Sequence, residues 1–272
     1  MSLDNKTIAF IGGGNMASAL IGGLIASGVA PRQIHVGDPD AERRYALEQG
    51  CGVHTAADNA QVIESADVVV FAVKPQALQA VAEASAAAIA ARGPLVISIA
   101  AGVTTTTLAG WLGSDAAIVR AMPNTPALIG RGAAGLYANA SVSAEERDTA
   151  AAIMGAAGEA LWIDDEALMD AVTAVSGSGP AYFFLIIEAM QAAGVELGLA
   201  PADARRLVLQ TALGAATMAK NGDTDAAELR RRVTSPGGTT AAALAVLEDG
   251  GLRELVKHAL TAARDRGREL SG

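Results

Sequence analysis

Two groups of small and hydroxylic residues stand out in this chain for the anions they could hold. Near the start, Gly12-Gly13-Gly14-Asn15-Met16-Ala17 directly follows the apolar run Thr7–Ile11 and fits the spacing G-x-G-x-x-A. Small residues there allow a tight turn, close backbone approach to a pyrophosphate and close helix–strand packing. The N-terminus of the helix that follows then stabilises anionic phosphates. An ordinary glycine turn has the same composition. Its place after a strand and before a helix, with a further strand–helix–strand pattern beyond, is what favours dinucleotide binding. In the second half, Ser176-Gly177-Ser178-Gly179-Pro180 and Ser235-Pro236-Gly237-Gly238-Thr239-Thr240 each precede a helical stretch. Backbone N–H groups left free at such a helix start make a carboxylate site, and the hydroxyls of Ser235, Thr239 and Thr240 add donors. Close helix packing with simple N-capping is the plainer account of either loop.

Other residues bear on the cofactor. Asp38 lies 21 residues after Ala17 (38 − 17), about where a ribose-binding acid is expected. A carboxylate there favours the cofactor without a 2′-phosphate, whereas Arg43 and Arg44 are near enough in sequence to bind one, so NAD(H) and NADP(H) both stand. A solvated turn followed by a charged helix face explains the same residues without any ligand. Lys74-Pro75 ends an apolar strand at the carboxyl edge of the sheet, where open α/β folds bind ligands. Ala72, Val73, Lys74 and Pro75 therefore read as a loop against the cofactor, or as a plain strand stop. Asn59 could cover the adenine or ribose, or cap the helix that follows.

The chemistry is narrowed by what is missing. Between Lys74 and Lys220 there is neither lysine nor histidine. An alcohol dehydrogenase must move a hydroxyl proton in its transition state, usually with a positioned His or Lys. The β-hydroxyacid dehydrogenases share a two-part layout and carry that lysine on the long helix after a glycine-rich loop. Here the stretch from Gly179 through Pro180, Ala181, Tyr182 and Phe183 has none. Reducing a protonated C=N bond needs no strong acid, and a hydroxyl hydrogen-bonded to the nitrogen would suffice. His35, His54 and His258 are scattered and Cys51 is alone, so no metal site is expected.

The elements that must position these residues fall into two halves. Thr7–Ile11, Ile34–Val36, Val68–Val73, Leu95–Ile99, Ala117–Ala121 and Ala134–Tyr137 read as strands, separated by helical patterns such as Ala17, Leu20, Ile21 and Leu24 with Gly28 as its stop, and Asp40–Gln49 with Gly50 as its stop. Strands alternating with helices predict a parallel, doubly wound, Rossmann-type sheet. From Asp165 onward only helices are expected: Ala181–Leu197, Pro201 to about Lys220, Asp225–Arg232, Thr239–Glu248 and Arg253–Leu270. The first of these is apolar nearly all round and must be buried in a bundle or against another subunit. With 272 residues, 51% hydrophobic and 18% charged, the chain can bury a sizeable core. Its net charge of −9 and 3% aromatic content argue against nucleic acid and an anionic membrane surface. The start, Met1–Asn5, lacks the basic and apolar regions of a secretory signal, and the uncharged spans Thr7–Pro31 and Gly93–Ser114 are broken by glycines and polar residues. A soluble, cytoplasmic protein is expected.

At this point the chain resembles the pyrroline-5-carboxylate reductases, over nearly its whole length. The resemblance rests on Phe10–Met16 with its glycine turn, on Ala72-Val73-Lys74-Pro75-Gln76, on Ser98–Gly102 and on Arg120–Pro126. In the helical half it rests on Asp170–Tyr182 and Val233–Thr240. It implies reduction of the cyclic imine L-1-pyrroline-5-carboxylate to L-proline with NADPH or NADH, the last step of proline biosynthesis. It also implies a homodimer, or a higher homo-oligomer, with an active site at the subunit interface. By motif position Thr240 would hydrogen-bond the ring nitrogen, and Ser235 with the Gly238–Thr239 backbone would hold the substrate carboxylate. Glu166 would lie near the bound proline, and Asn59, Ala72–Pro75, Ala100 and Ala101 would line the cofactor. Arg232 departs from the pattern, standing where some members carry a polar amide.

The expected fold is thus α/β: residues 1–163 a dinucleotide-binding domain, residues 164–272 an all-helical substrate-binding and dimerisation domain. A β-hydroxyacid dehydrogenase relative and a non-catalytic dinucleotide sensor remain as alternatives. The absent helix lysine speaks against the first, and the intact second glycine loop is unexplained by the second.

Overall fold

The computed structural model describes residue 3, residues 5–113 and residues 115–271; Met1 and Gly272, the outer limits of the two expected domains, and Ser114, the end of the second uncharged span, lie outside the described residues. The chain divides into two compact units, Met1–Ser178 with Ala263–Gly272, and Gly179–Ala262.

Near-continuous apolar runs make the central strands of the first unit, as burial on both faces requires. They are β1 (Ile8–Ile11), β2 (Ile34–Gly37), β3 (His54–Ala56), β4 (Val68–Phe71), β5 (Leu95–Ser98), β6 (Ile118–Met122), β7 (Gly132–Ala138) and β8 (Gly158–Trp162). They form one sheet in the order β3-β2-β1-β4-β5-β6-β7-β8. Helices α1 (Asn15–Ala26), α2 (Ala41–Cys51), α3 (Asn59–Ile63), α4 (Pro75–Arg92), α5 (Thr105–Leu112) and α6 (Ala144–Gly155) link the strands, with a short α7 (Met169–Val172) after β8. Two buried clusters follow from the pleat. Ile8, Phe10, Val68 and Val70 join one, which holds Leu20 and Leu24 of α1; Ala9, Ile11, Val69 and Phe71 join the other, which holds Leu78 and Ile89 of α4.

The doubly wound sheet is as expected, with one pair reversed: β6 and β7 are antiparallel. Their connection, residues 123–131, holds only a short 3-10 turn at Thr125–Ile129. A parallel crossover needs a dozen or more residues, so the strand must turn back. Two edge strands, β3 and β8, carry little β-branched sequence and were not expected. Helix α2 runs past Gly50 to Cys51 and stops at Gly52, which takes the left-handed conformation at φ 69°.

The stretch Ser176–Pro180 is not the expected loop. Thr173–Gly177 forms a π-helical turn. The Ser178 N–H donates to the Thr173 carbonyl at 2.8 Å. The Ser176 hydroxyl donates to Val172 O at 2.9 Å, and Asn124 Nδ2 donates to Ser176 O at 3.0 Å. The backbone there is committed to a helix, which removes the free helix start proposed for it.

The second unit is helical: α8 (Gly179–Glu196), α9 (Pro201–Asn221), α10 (Ala226–Arg232), α11 (Thr239–Asp249) and most of α12 (Leu252–Ser271). Pro201 sits at the first turn of α9 and Asp225 caps α10 through Glu228 N. Among the described residues one helical run, Glu166–Glu196, is long and apolar enough to cross a membrane by length and composition. Its Phe183, Phe184 and Leu185 are all more than three-fifths exposed.

A buried charge cluster ties α5, β6 and α7 together. Arg120 on β6, only 4% exposed, reaches Asp170 Oδ1 at 3.3 Å and Glu166 Oε1 at 3.5 Å. Glu166 also accepts from the Thr105 N–H at 2.7 Å and the Thr105 hydroxyl at 2.9 Å. On its other side, Asp170 Oδ2 lies 3.9 Å from Arg268 Nε. Removing the central cation leaves two shielded carboxylates facing each other, and such uncompensated burial costs about 3–5 kcal/mol. Arg120→Met should therefore lower unfolding stability by that amount in urea titration; an unchanged midpoint would mean that Thr105 and Arg268 suffice for both acids.

Candidate active site

The first strand ends at Ile11, and the chain then turns through Gly12 at φ 97°. Only glycine adopts that angle without strain. Space is as strict as angle here, because a Cβ on Gly12 would lie 2.8 Å from the Ala72 carbonyl oxygen. Gly12 N–H donates to Gly37 O at 2.7 Å, and Ala72 N–H donates to Ile11 O at 2.8 Å. The turn is thus stitched between β2 and β4. Gly14 is different: a Cβ there would meet nothing within 4 Å. It is the N-cap of α1 and offers no side-chain cap, so the first N–H groups of α1, from Asn15 and Met16 onward, have no acceptor in their own helix. Ala17 is wholly buried beneath them. An open cradle over free helix N–H groups fits a pyrophosphate.

Asp38, just beyond β2, is 2% exposed. Its Oδ2 accepts from Gly13 N–H at 2.7 Å and from Arg43 Nη1 at 3.1 Å, and its Oδ1 accepts from Asp40 N–H at 2.9 Å. Burial by itself pushes this carboxyl up, but those N–H donors and the Arg43 guanidinium outweigh it and hold the pKa below the ordinary carboxylate value. Arg44 Nη1 donates to the Asp38 carbonyl at 2.7 Å. Both arginines named from sequence therefore stand at the end of β2, while the acid faces inward.

Asn59 opens α3, but the cap is Asp58, which accepts from Ala60 N–H at 2.9 Å. The Asn59 side chain instead sits on the end of β2: a Cβ on Gly37 would fall 2.4 Å from Asn59 Oδ1. Val73 touches the same turn from the β4 side, with Cγ1 3.0 Å from the place of a Gly12 Cβ. Lys74 is the exposed N-cap of α4, and Pro75 its first residue, as the missing proline N–H allows. Ala100 is buried, and Ala101 shares a cavity of about 470 Å³ with Pro75, Gln76, Gly102 and Trp111. The loops after β4 and β5 thus meet on one hollow at the carboxyl edge of the sheet. Gln76 belongs to the quoted Ala72–Gln76 motif but carries no expected role there, and Trp111 lies in no spacing motif. The run of hydroxyls Thr104–Thr107, which caps α5, was the available signal.

In the helical unit, Ser235–Gly238 makes a tight turn closed by Gly238 N–H donating to Ser235 O at 3.0 Å, with Gly237 at φ 70°. Pro236 precedes it, the residue pattern of a turn that needs glycine third. Gly238 is the N-cap of α11 and supplies no side-chain acceptor. The N–H groups of Thr239 and Thr240 therefore open the helix without an intrahelical partner, as a carboxylate site requires. Arg232, the departure from the family pattern, donates to Glu228 Oε1 one turn back at 2.8 Å. Glu166 is held by Thr105 and Arg120, so its carboxylate is committed within the first unit.

The glycine turn and the Ser235–Thr240 turn thus each precede a helix start without a side-chain cap, one in each unit. A family model described as pyrroline-5-carboxylate reductase dimerisation matches residues 166–270, and one described as NADP oxidoreductase, coenzyme F420-dependent, matches residues 7–102. A solved pyrroline-5-carboxylate reductase from Coxiella burnetii superposes with a TM-score of 0.95 at 47% identity, covering 99% of this chain and 100% of that one. One from Plasmodium falciparum, solved with NADP bound, superposes with a TM-score of 0.88 at 30% identity over 100% of both chains. The pyrroline-5-carboxylate reductase of Pseudomonas aeruginosa is 54% identical over 269 residues, which is 99% of this chain and 98% of that protein. Likeness of this degree over both units and both turns means that the chain belongs to the pyrroline-5-carboxylate reductase family, oxidoreductases that reduce a cyclic imine with a nicotinamide cofactor.

Proposed function

We propose that this chain reduces L-1-pyrroline-5-carboxylate to L-proline with NADPH, through the two backbone cradles described above. The nicotinamide, when bound, supplies the hydride to the imine carbon. Gly12, Gly13 and Gly14 with the N–H groups of Asn15, Met16 and the first turn of α1 hold the pyrophosphate. Asn59 covers the adenosine side at β2, and Ala72–Pro75 with Ala100 and Ala101 flank the nicotinamide side. Residues 1–163 carry the dinucleotide part of the work and residues 164–272 the substrate and subunit contacts. The observation that carries the cofactor reading is the commitment of Asp38: a carboxylate that faces inward neither hydrogen-bonds a ribose nor repels a 2′-phosphate, which leaves Arg43 and Arg44 to meet the phosphate.

At the substrate, the Gly238–Thr239 backbone and the Ser235 hydroxyl hold the carboxylate: the Gly238 N–H closes the turn on Ser235 O, and the Thr239 and Thr240 N–H groups are left to donate. The Thr240 hydroxyl bonds the ring nitrogen and steadies it as hydride arrives. The iminium is already the electrophile, so no lysine or histidine is needed. Glu166 acts on the bound proline indirectly, by fixing the start of α5. The exposed apolar residues of α8, including Phe183 and Phe184, lie within the stretch matched by the dimerisation model, and a second copy of the chain is their proposed cover. That assignment accounts for the long apolar helix without a membrane, and the working form we propose is a homodimer in the cytoplasm. NADH is the alternative cofactor.

The direct assay is NADPH consumption on adding pyrroline-5-carboxylate, with glyoxylate and tartronate semialdehyde as controls. Oxidation with the imine alone is expected, and turnover only with the controls would replace this reading by a hydroxyacid dehydrogenase. Thr240→Ala should lower kcat by about tenfold or more, the loss of one hydrogen bond to a charged group, while Thr240→Ser retains most of it. Unchanged kinetics in the alanine variant would remove Thr240 from the mechanism. Light scattering of the purified protein should give at least a dimer mass; a monomer at micromolar concentration would contradict the role given to α8.

A further inference from the structure

We infer that Asp38 is a positioning residue that sets dinucleotide choice by tying Arg43 to the glycine turn, and that the ligand it serves is a phosphate monoester on the cofactor ribose. The inference rests on the NADPH reading above. Three donors engage the carboxylate of Asp38: the Gly13 N–H at 2.7 Å, the Asp40 N–H at 2.9 Å and Arg43 Nη1 at 3.1 Å. Only 3% of the Asp38 side chain is exposed, against 48% for Arg43. An acid that reads ribose hydroxyls must present lone pairs to solvent, and this one is turned away from it.

What it does instead is couple two parts of the site. The Gly13 amide and the Arg43 guanidinium share the same oxygen, Oδ2. The Arg43 stem also lies over the turn, its Cδ 3.5 Å from where a Gly13 Cβ would be. Any movement of the turn that carries the pyrophosphate thus moves the cation beside it. Arg44 is anchored to the same residue through the Asp38 carbonyl. Each guanidinium has five N–H donors in a planar fork, and these contacts use only some of them. Arg43 Nη2 additionally lies 3.7 Å from Asp40 Oδ2, and Asp40 is itself occupied by the Glu42 and Arg43 N–H groups as the cap of α2. Two half-anchored guanidiniums at the end of β2 match the bidentate geometry of a phosphate. One acid thereby keeps the arginines in place and its own charge out of the ligand's way.

The test is binding rather than turnover: NADPH and NADH are titrated separately against the purified full-length protein, following the nicotinamide fluorescence. Arg43→Ala should weaken NADPH by about tenfold or more and leave NADH within about threefold, as expected for loss of a charged hydrogen bond to phosphate alone. Asp38→Asn should also weaken NADPH more than NADH, and the double variant should bind NADPH no more weakly than Arg43→Ala, because the two residues act as one unit. Asp38→Asn that weakens NADH and spares or tightens NADPH would make Asp38 a ribose reader and overturn the inference. So would additive losses in the double variant, or NADPH affinity untouched by Arg43→Ala. If the wild-type protein binds neither dinucleotide, the cofactor reading fails and takes this inference with it.

Discussion

Only a hydrogen atom fits at position 12. There the chain leaves β1, turns through a positive φ and passes within contact of the Ala72 carbonyl, so that the ends of β1, β2 and β4 are drawn together. The open face at Gly14 and the uncapped start of α1 follow from that crowding on one side and space on the other. The loop after β4, the Asn59 side chain against the end of β2 and the buried carboxylate of Asp38 are all arranged around this closure. A larger residue at Gly12 would displace a backbone carbonyl, not a side chain, and backbone has little freedom to yield.

Charge is handled locally in this acidic protein. Its net charge of −9 says nothing against phosphate or carboxylate ligands, since the uncapped starts of α1 and α11 and the arginines after β2 are local sources of positive potential. The acids nearest the cofactor edge are occupied: Asp38 by amides and Arg43, Asp58 by the start of α3. Deeper in, Arg120 pairs with both Glu166 and Asp170, and Arg268 lies on the far side of Asp170. The chemistry asks for little more. An iminium needs no proton from a strong acid, and the absence of lysine and histidine from the middle of the chain accords with that.

Much of this was legible in the residues themselves. The glycine turn, the apolar strands of the sheet core and every helix from Pro201 onward carry local signals: period, N1 proline, an Asp cap, a glycine stop. What escaped was non-local. The reversal of β7 depends on how short its connection is relative to a crossover, and β8, at the edge, has almost no β-branched sequence to mark it. The Ser176–Gly179 stretch has the composition of a loop, but the Thr173 and Ser176 hydroxyls back-bond to carbonyls four residues earlier and a π turn carries the helix on. The role of Asp38 was out of reach for the same reason. Spacing put an acid at the end of β2, but its direction depends on an amide 25 residues away.

We propose that a hydride passes from the nicotinamide to the imine carbon. It is tested most directly by the fate of the label when NADPH deuterated at both C4 positions is incubated with pyrroline-5-carboxylate and the purified protein. Proline carrying a single deuterium at C5 is expected, with an equal amount of cofactor oxidised. Proline formed without the label, or cofactor oxidised without labelled proline, would contradict it.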